Sequence, residues 1–172
     1  MEIHLVVEAE NTQREYLKLA GLFAYFVLAA TLMSGLQGFA WEEWIRWFMG
    51  GVLINLGSFK LINYELFVAL FPSFDLIARR YKYYAFAYPF IEVILGGLFI
   101  MNGNLFPVGL ATFALMAVST IGALKSFMHG EIGLRYGCMG SLLRMSFLTV
   151  YVIEDIMVLV TAVIFLLGHA LL

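Results

Sequence analysis

Charge is scarce in this chain. Ten Lys and Arg and twelve Asp and Glu are spread over 172 residues, a charged share of 13%, about half of what a water-soluble fold uses to cover its surface. That shortage excludes an ordinary soluble domain and leaves lipid as the solvent, in keeping with a hydrophobic share of 63% and a mean hydropathy of +0.92. The net charge of −2 offers no basic field, so nucleic acid is set aside as a partner. Cysteine is nearly absent: Cys138 stands alone, and neither a disulfide nor a dithiol redox pair can form within the chain. Only three prolines, Pro72, Pro89 and Pro107, interrupt the helical runs. Phosphate-loop and dinucleotide glycine patterns, an HExxH helix and a Ser/His/Asp grouping are all missing, so no independent catalytic activity is expected, and the sequence leaves the cofactor unknown. There is no repeat, low-complexity tract or linker.

What the sequence does have is long apolar runs. A helix crossing a bilayer needs about 20 mostly apolar residues at about 1.5 Å each, with every backbone group bonded internally. Five stretches meet that need, 17–36, 47–71, 83–102, 105–127 and 146–168. The expected fold is therefore all-α, a polytopic transmembrane bundle of five spans: residues 1–16 form an N-terminal tail and 17–172 the membrane domain. Glu2, Glu8, Glu10 and Glu15 make the leading segment too acidic for a signal peptide. Five spans gather Arg14, Lys18, Arg79, Arg80, Lys82, Lys125, Arg135 and Arg144 on one side and leave Arg46 on the other. Such asymmetry is expected to place the N-terminus in the cytoplasm and the C-terminus outside.

Trp41, Trp44 and Trp47 suit the outer headgroup layer, with Glu42, Glu43 and Arg46 facing water between them; Tyr81, Tyr83, Tyr84 and Tyr88 suit the inner one. Pro72 is expected to halt the second span, Pro107 to sit harmlessly near the start of the fourth, and Pro89 to kink the third.

Ionisable residues at membrane depth cost roughly 2.5–3.5 kcal/mol each on insertion scales and mark function by default. Lys60, Glu65, Glu92, Glu154 and Asp155 qualify. A rise of about 1.5 Å per residue puts Lys60 about 16 Å, Glu92 about 14 Å and Glu154 and Asp155 about 12–14 Å from the same membrane face. Glu65, nearer that face, can snorkel to water. Gly57, Lys60 and Asn63 share one helical stripe, and Tyr84, Tyr88, Glu92 and Gly96 another; Ser119 and Thr120 reach similar depth. The expected buried polar layer is Lys60, Asn63, Glu92, Glu154 and Asp155. One Lys against three deep carboxylates demands neutralisation by protonation, water or a cation. Two readings stand: an ion pair that fixes helix register, or a proton or cation pathway.

Between the last two spans runs GEIGLRYGCMGSLLRM, with glycines at 130, 133, 137 and 140. Cys138 lies between Arg135 and Arg144 and before Ser141, a residue able to cap a helix start. Cations and helix N-termini lower a thiol pKa, making Cys138 a candidate reactive thiol or soft-metal ligand; a small packed thiol is the alternative. His129 is its nearest loop partner for a metal, and His4 and His169 are scattered.

Five segments carry a family resemblance: FKL with Lys60, FDLIA with Asp75, AYPFIE with Pro89 and Glu92, the CxG of Cys138 and Gly140, and VIED with Glu154 and Asp155. The region 45–168 that contains them resembles the MauE/DoxX group of small bacterial membrane proteins, with the first span as an addition. Members are four-helix membrane bundles linked to redox maturation, quinone-linked sulfur oxidation or heavy-metal gene clusters, and relatives of this branch commonly show CxCxG. Tyr136 stands here where the first of those cysteines would be. A single thiol can form a mixed disulfide or add one ligand to a site completed elsewhere, but cannot cycle as a dithiol.

The resemblance implies an accessory membrane protein that assists redox maturation or heavy-metal handling with partner proteins. The alternatives are a structural subunit of a larger membrane complex and a small-solute or proton-coupled transporter, for which no inverted repeat is visible. Expected partners are the lipid bilayer and other membrane or redox proteins, or further copies of the chain.

Overall fold

The computed structural model describes residues 2–101, 105–128 and 147–170. Among them the chain forms seven helices: α1 Glu2–Leu36, α2 Trp41–Ile62, α3 Tyr64–Phe74, α4 Leu76–Arg80, α5 Lys82–Ile100, α6 Leu105–Met128 and α7 Phe147–Ala170. Four segments are long and apolar enough to cross a membrane, within α2, α5, α6 and α7. These give the bundle expected from the apolar runs, but a fifth span over 17–36 is not established. The corresponding part of α1 is the shorter apolar stretch Ala20–Leu36.

The predicted second span, 47–71, is corrected. The helix begins earlier, at Trp41, where Glu42 and Glu43 in the first turn favour its positive end. It stops at Asn63, whose φ of −112° and ψ of 45° leave the helical region. Asn competes for backbone hydrogen bonds and breaks a helix readily. Pro72, expected to be the stop, lies inside α3 near its C-terminal end. The chain turns again at Asp75, whose carboxylate oxygen Oδ1 accepts from the Ile77 and Ala78 backbone N–H groups at 2.9 and 2.7 Å and caps α4.

Lipid is as apolar as a protein interior, so close packing and polar contacts, more than water exclusion, hold helices together within a bilayer. The α2–α5 crossing shows the first. A Cβ at Gly50 would lie 3.0 Å from the Gly96 carbonyl oxygen, one at Gly96 would lie 2.9 Å from that of Gly50, and one at Gly57 would lie 3.0 Å from that of Pro89. The two backbones therefore touch where side chains are missing. Helix α7 packs on α6, where Gly109 admits the Phe165 ring, and α1 lies along α2. Trp44 bridges α2 to α1 by donating to the Thr31 hydroxyl at 3.0 Å.

Two apolar clusters fill the bundle. One joins Val52, Leu53, Leu56, Phe99, Met116, Val158 and Phe165; the other joins Phe67, Phe71, Phe74, Ala85, Ala123, Tyr88 and Tyr151. Leu28, Ile94, Ile121 and Leu167 are among the large apolar side chains that face outward, as a lipid-bathed surface requires.

Candidate functional site

Each membrane-spanning helix brings one polar stretch to the level between the two apolar clusters. Gly57 lets α5 approach so closely that a Cβ there would stand 3.2 Å from that of Glu92. Lys60 follows one turn later, in the last turn of α2, where the helix's negative end favours a cation. Its ammonium nitrogen donates to Glu92 Oε1 at 2.6 Å and to Glu154 Oε1 at 2.8 Å. The rings of Tyr88 and Tyr151 face it with centroids 5.2 and 4.9 Å away, adding cation–π attraction. Lys60 is 3% exposed, Glu92 0% and Glu154 5%. A charge-assisted contact in such surroundings is strong, and either partner alone would be costly.

Asp155, next to Glu154 on α7, is fully buried within the field of Lys60, Glu154 and Glu92. Neither of its carboxylate oxygens has a hydrogen-bond partner among the described residues, nor has Glu92 Oε2. Ser119 of α6 shares a hydrogen bond with the Tyr151 hydroxyl at 2.5 Å and accepts one from Tyr88 at 3.5 Å. The centre thus contains one ammonium, three carboxyl groups and a hydroxyl cluster drawn from α2, α5, α6 and α7.

Of the five residues expected in the buried layer, Lys60, Glu92, Glu154 and Asp155 come together. Asn63 sits half-buried at the α2–α3 break instead. Glu65 is exposed. Arg46, expected to face water, is 5% exposed, paired with Glu43, donating to Gln37 at 3.2 Å and stacked on Trp47. The turn that follows α1 reaches it through Gln37. Tyr88, expected in the headgroup layer, is wholly buried, because α3 folds back over it, stacking Phe67 on its ring and setting Phe71 against it at a tilt.

Sequence reasoning did not assign roles to Tyr151 and Asp75. Tyr151 was legible from spacing, since it lies on the Glu154, Asp155 and Val158 face of α7. Asp75 carries no such sign, for its neighbours are decided by the α3–α4 turn. Burial raises its carboxyl above the usual carboxylate range, against the lowering effect of the Ala78 and Ile77 N–H bonds.

The candidate thiol Cys138, its loop partner His129 and the glycines between 130 and 140 lie outside the described residues. Among the described residues no group of three or more His, Cys, Asp or Glu is arranged to hold a metal ion. The arrangement at Lys60 is one of charge pairing.

A family model described as methylamine utilisation protein MauE matches residues 17–168, which takes in the apolar half of α1 as well as every element of the buried centre. Neither a curated protein nor a solved structure matches the chain. With most of its length covered, and with membrane helices of this kind, the chain belongs to the MauE family of membrane proteins.

Proposed function

We propose that the protein is an accessory component of a bacterial redox-maturation or heavy-metal-handling system, working with partner proteins in the inner membrane, and that its buried centre holds an exchangeable proton for that work. The observation behind this reading is the imbalance at Lys60: three carboxyl groups meet one ammonium, and both Asp155 oxygens lack partners among the described residues. Full ionisation would place three negative charges against one positive in a medium where unpaired charge is expensive. A proton on a carboxyl group relieves that imbalance and supplies a donor. Thiol exchange and thiolate–metal binding both release or take up protons, so a buried store suits either task. In this reading Cys138 forms a mixed disulfide with a partner or adds one soft ligand to a partner's site.

Infrared titration in lipid tests the store. The wild type is expected to show the carbonyl stretch of a protonated carboxylic acid at neutral pH, lost or diminished in Asp155→Asn. Absence of the band in the wild type would sink the proton store. The accessory role is tested separately by native purification in mild detergent, where co-purifying redox or metal-binding proteins are expected and a clean single chain counts against it.

In this reading the N-terminus is cytoplasmic, on the same side as the loop that bears Cys138. An impermeant thiol reagent is expected to reach Cys138 only after permeabilisation, and an N-terminal tag to be digested by protease only then. A tag digested in intact cells would replace five spans by four.

A further inference from the structure

We propose that protons reach the buried centre from the Arg79 end of the bundle, by way of Asp75 and Ser119; the proposal rests on the reading of the centre as a proton store. A groove of about 170 Å³ runs between the α3–α4 turn and α6, bordered by Asp75, Arg79, Gly122, Lys125 and Ser126. Asp75 lines this groove although its side chain is 0% exposed. Its Oδ1 is occupied by the α4 cap, whereas Oδ2 has no partner among the described residues. The carboxyl group therefore keeps one oxygen for a proton at the inner wall of an open groove.

Gly122 makes the next link. A Cβ there would lie 2.7 Å from the Phe74 carbonyl oxygen and 3.2 Å from the Asp75 Cα. Its absence lets the turn rest directly on α6, one helical turn from Ser119. Ser119 bonds Tyr151 at 2.5 Å and Tyr88 at 3.5 Å, the two rings that face Lys60, while Asp75 Oδ2 and both Asp155 oxygens hold no hydrogen bond among the described residues. Polar groups thus follow one another from the groove toward Lys60: the Asp75 carboxyl, the Ser119 hydroxyl, and the Tyr88 and Tyr151 hydroxyls bonded to it. Beyond the centre, away from the groove, Leu56, Phe99, Met116 and Val158 close the interior with apolar side chains.

The step is a relay without electron transfer. A hydronium in the groove gives a proton to Asp75 Oδ2 and leaves as water. Side-chain rotation closes the contacts left open in the resting structure, and the Asp75 acid then passes that proton to Ser119 Oγ as the original Ser119 hydroxyl proton moves to Asp155, so Asp75 returns to carboxylate and Asp155 becomes the acid. Rotation of the Ser119 hydroxyl resets the relay. Arg79 from α4 and Lys125 from α6 border the groove with Asp75, and Tyr84 of α5 lies near it; burial favours the protonated form of Asp75. Asp155 is faced by Lys60, Glu92, Glu154, Tyr88, Tyr151 and Ser119.

Time-resolved infrared spectroscopy after a pH jump, on the full chain in lipid, reads the rate at which the buried acid band appears. Asp75→Asn is expected to slow it by roughly a hundredfold, the scale of losing one positioned proton-transfer group, with the final amplitude unchanged; Asp75→Glu restores the rate. Asn remains a good helix cap, and Ser119→Ala, which leaves the cap untouched, decides the matter should Asp75→Asn fail to fold. A wild-type rate in the folded variants overturns the route. A missing acid band in the wild type overturns the store itself, a failure visible before any variant is made.

Discussion

Lys60→Met is expected to destabilise the bundle by roughly 3–5 kcal/mol, the cost of leaving a buried charge without its partner. In mild detergent this appears as a much lower melting temperature and loss of monodisperse protein. The Lys60 ammonium is the shared donor to Glu92 and Glu154 at 2.6 and 2.8 Å, and those acids come from helices 32 and 94 residues away in sequence. Its removal leaves two carboxylates facing each other beside a third, Asp155. Methionine matches the length of the Lys stem and fills the space, so the loss reads the charge and not a cavity. Two further variants assign the effect. Lys60→Met combined with Glu92→Gln and Glu154→Gln should recover much of the stability, since neutral amides no longer repel. Lys125→Met, at an exposed position of α6, should change it by no more than about 0.5 kcal/mol. A Lys60→Met protein that melts like the wild type would remove the ion cluster as the organising feature of the fold.

Gly96→Leu is the second large effect. Any side chain there starts 2.9 Å from both the Gly50 carbonyl oxygen and the Ile54 nitrogen, and backbone cannot step aside as the end of a side chain can. Helices α2 and α5 must then separate, at a cost of about 1–3 kcal/mol or more for overpacking. Separation also lengthens the Lys60–Glu92 contact, which lies on the same crossing. Gly97→Leu is the matched control, because a Cβ at Gly97 meets nothing within 4 Å, and a helix gains up to about 1 kcal/mol when glycine is replaced by a good helix former. The pair should differ in melting temperature with opposite signs. Equal behaviour would mean that the crossing does not rest on small residues.

The depth of the polar groups was legible because a helix is a ruler: its fixed rise turns residue number into height. Lys60, Glu92 and Glu154 therefore share a level before any contact is known. Which way each points is a second coordinate, and the stripe through Tyr84, Tyr88 and Glu92 supplied it for α5. For α2 the same rule overreached at Asn63, since a stripe cannot extend past the residue where the helix ends. Arg46 looked like a surface charge because nothing local shows that the turn after α1 reaches it, and Tyr88 looked like an anchor because nothing local shows α3 folding back.

The sequence by itself determined the solvent, the helices and the presence of several charges at one depth. These follow from composition and from the one-dimensional spacing of residues, which hydrophobic transfer and helix geometry convert into height and face. Only the tertiary structure decided that Lys60 reaches two acids at once, that neither Asp155 oxygen has a hydrogen-bond partner among the described residues, and that Asp75 stands at the wall of a groove where its turn rests on α6. Those arrangements depend on how closely glycine-bearing backbones approach and on a turn that brings distant residues together, and neither is encoded in the spacing along any single helix.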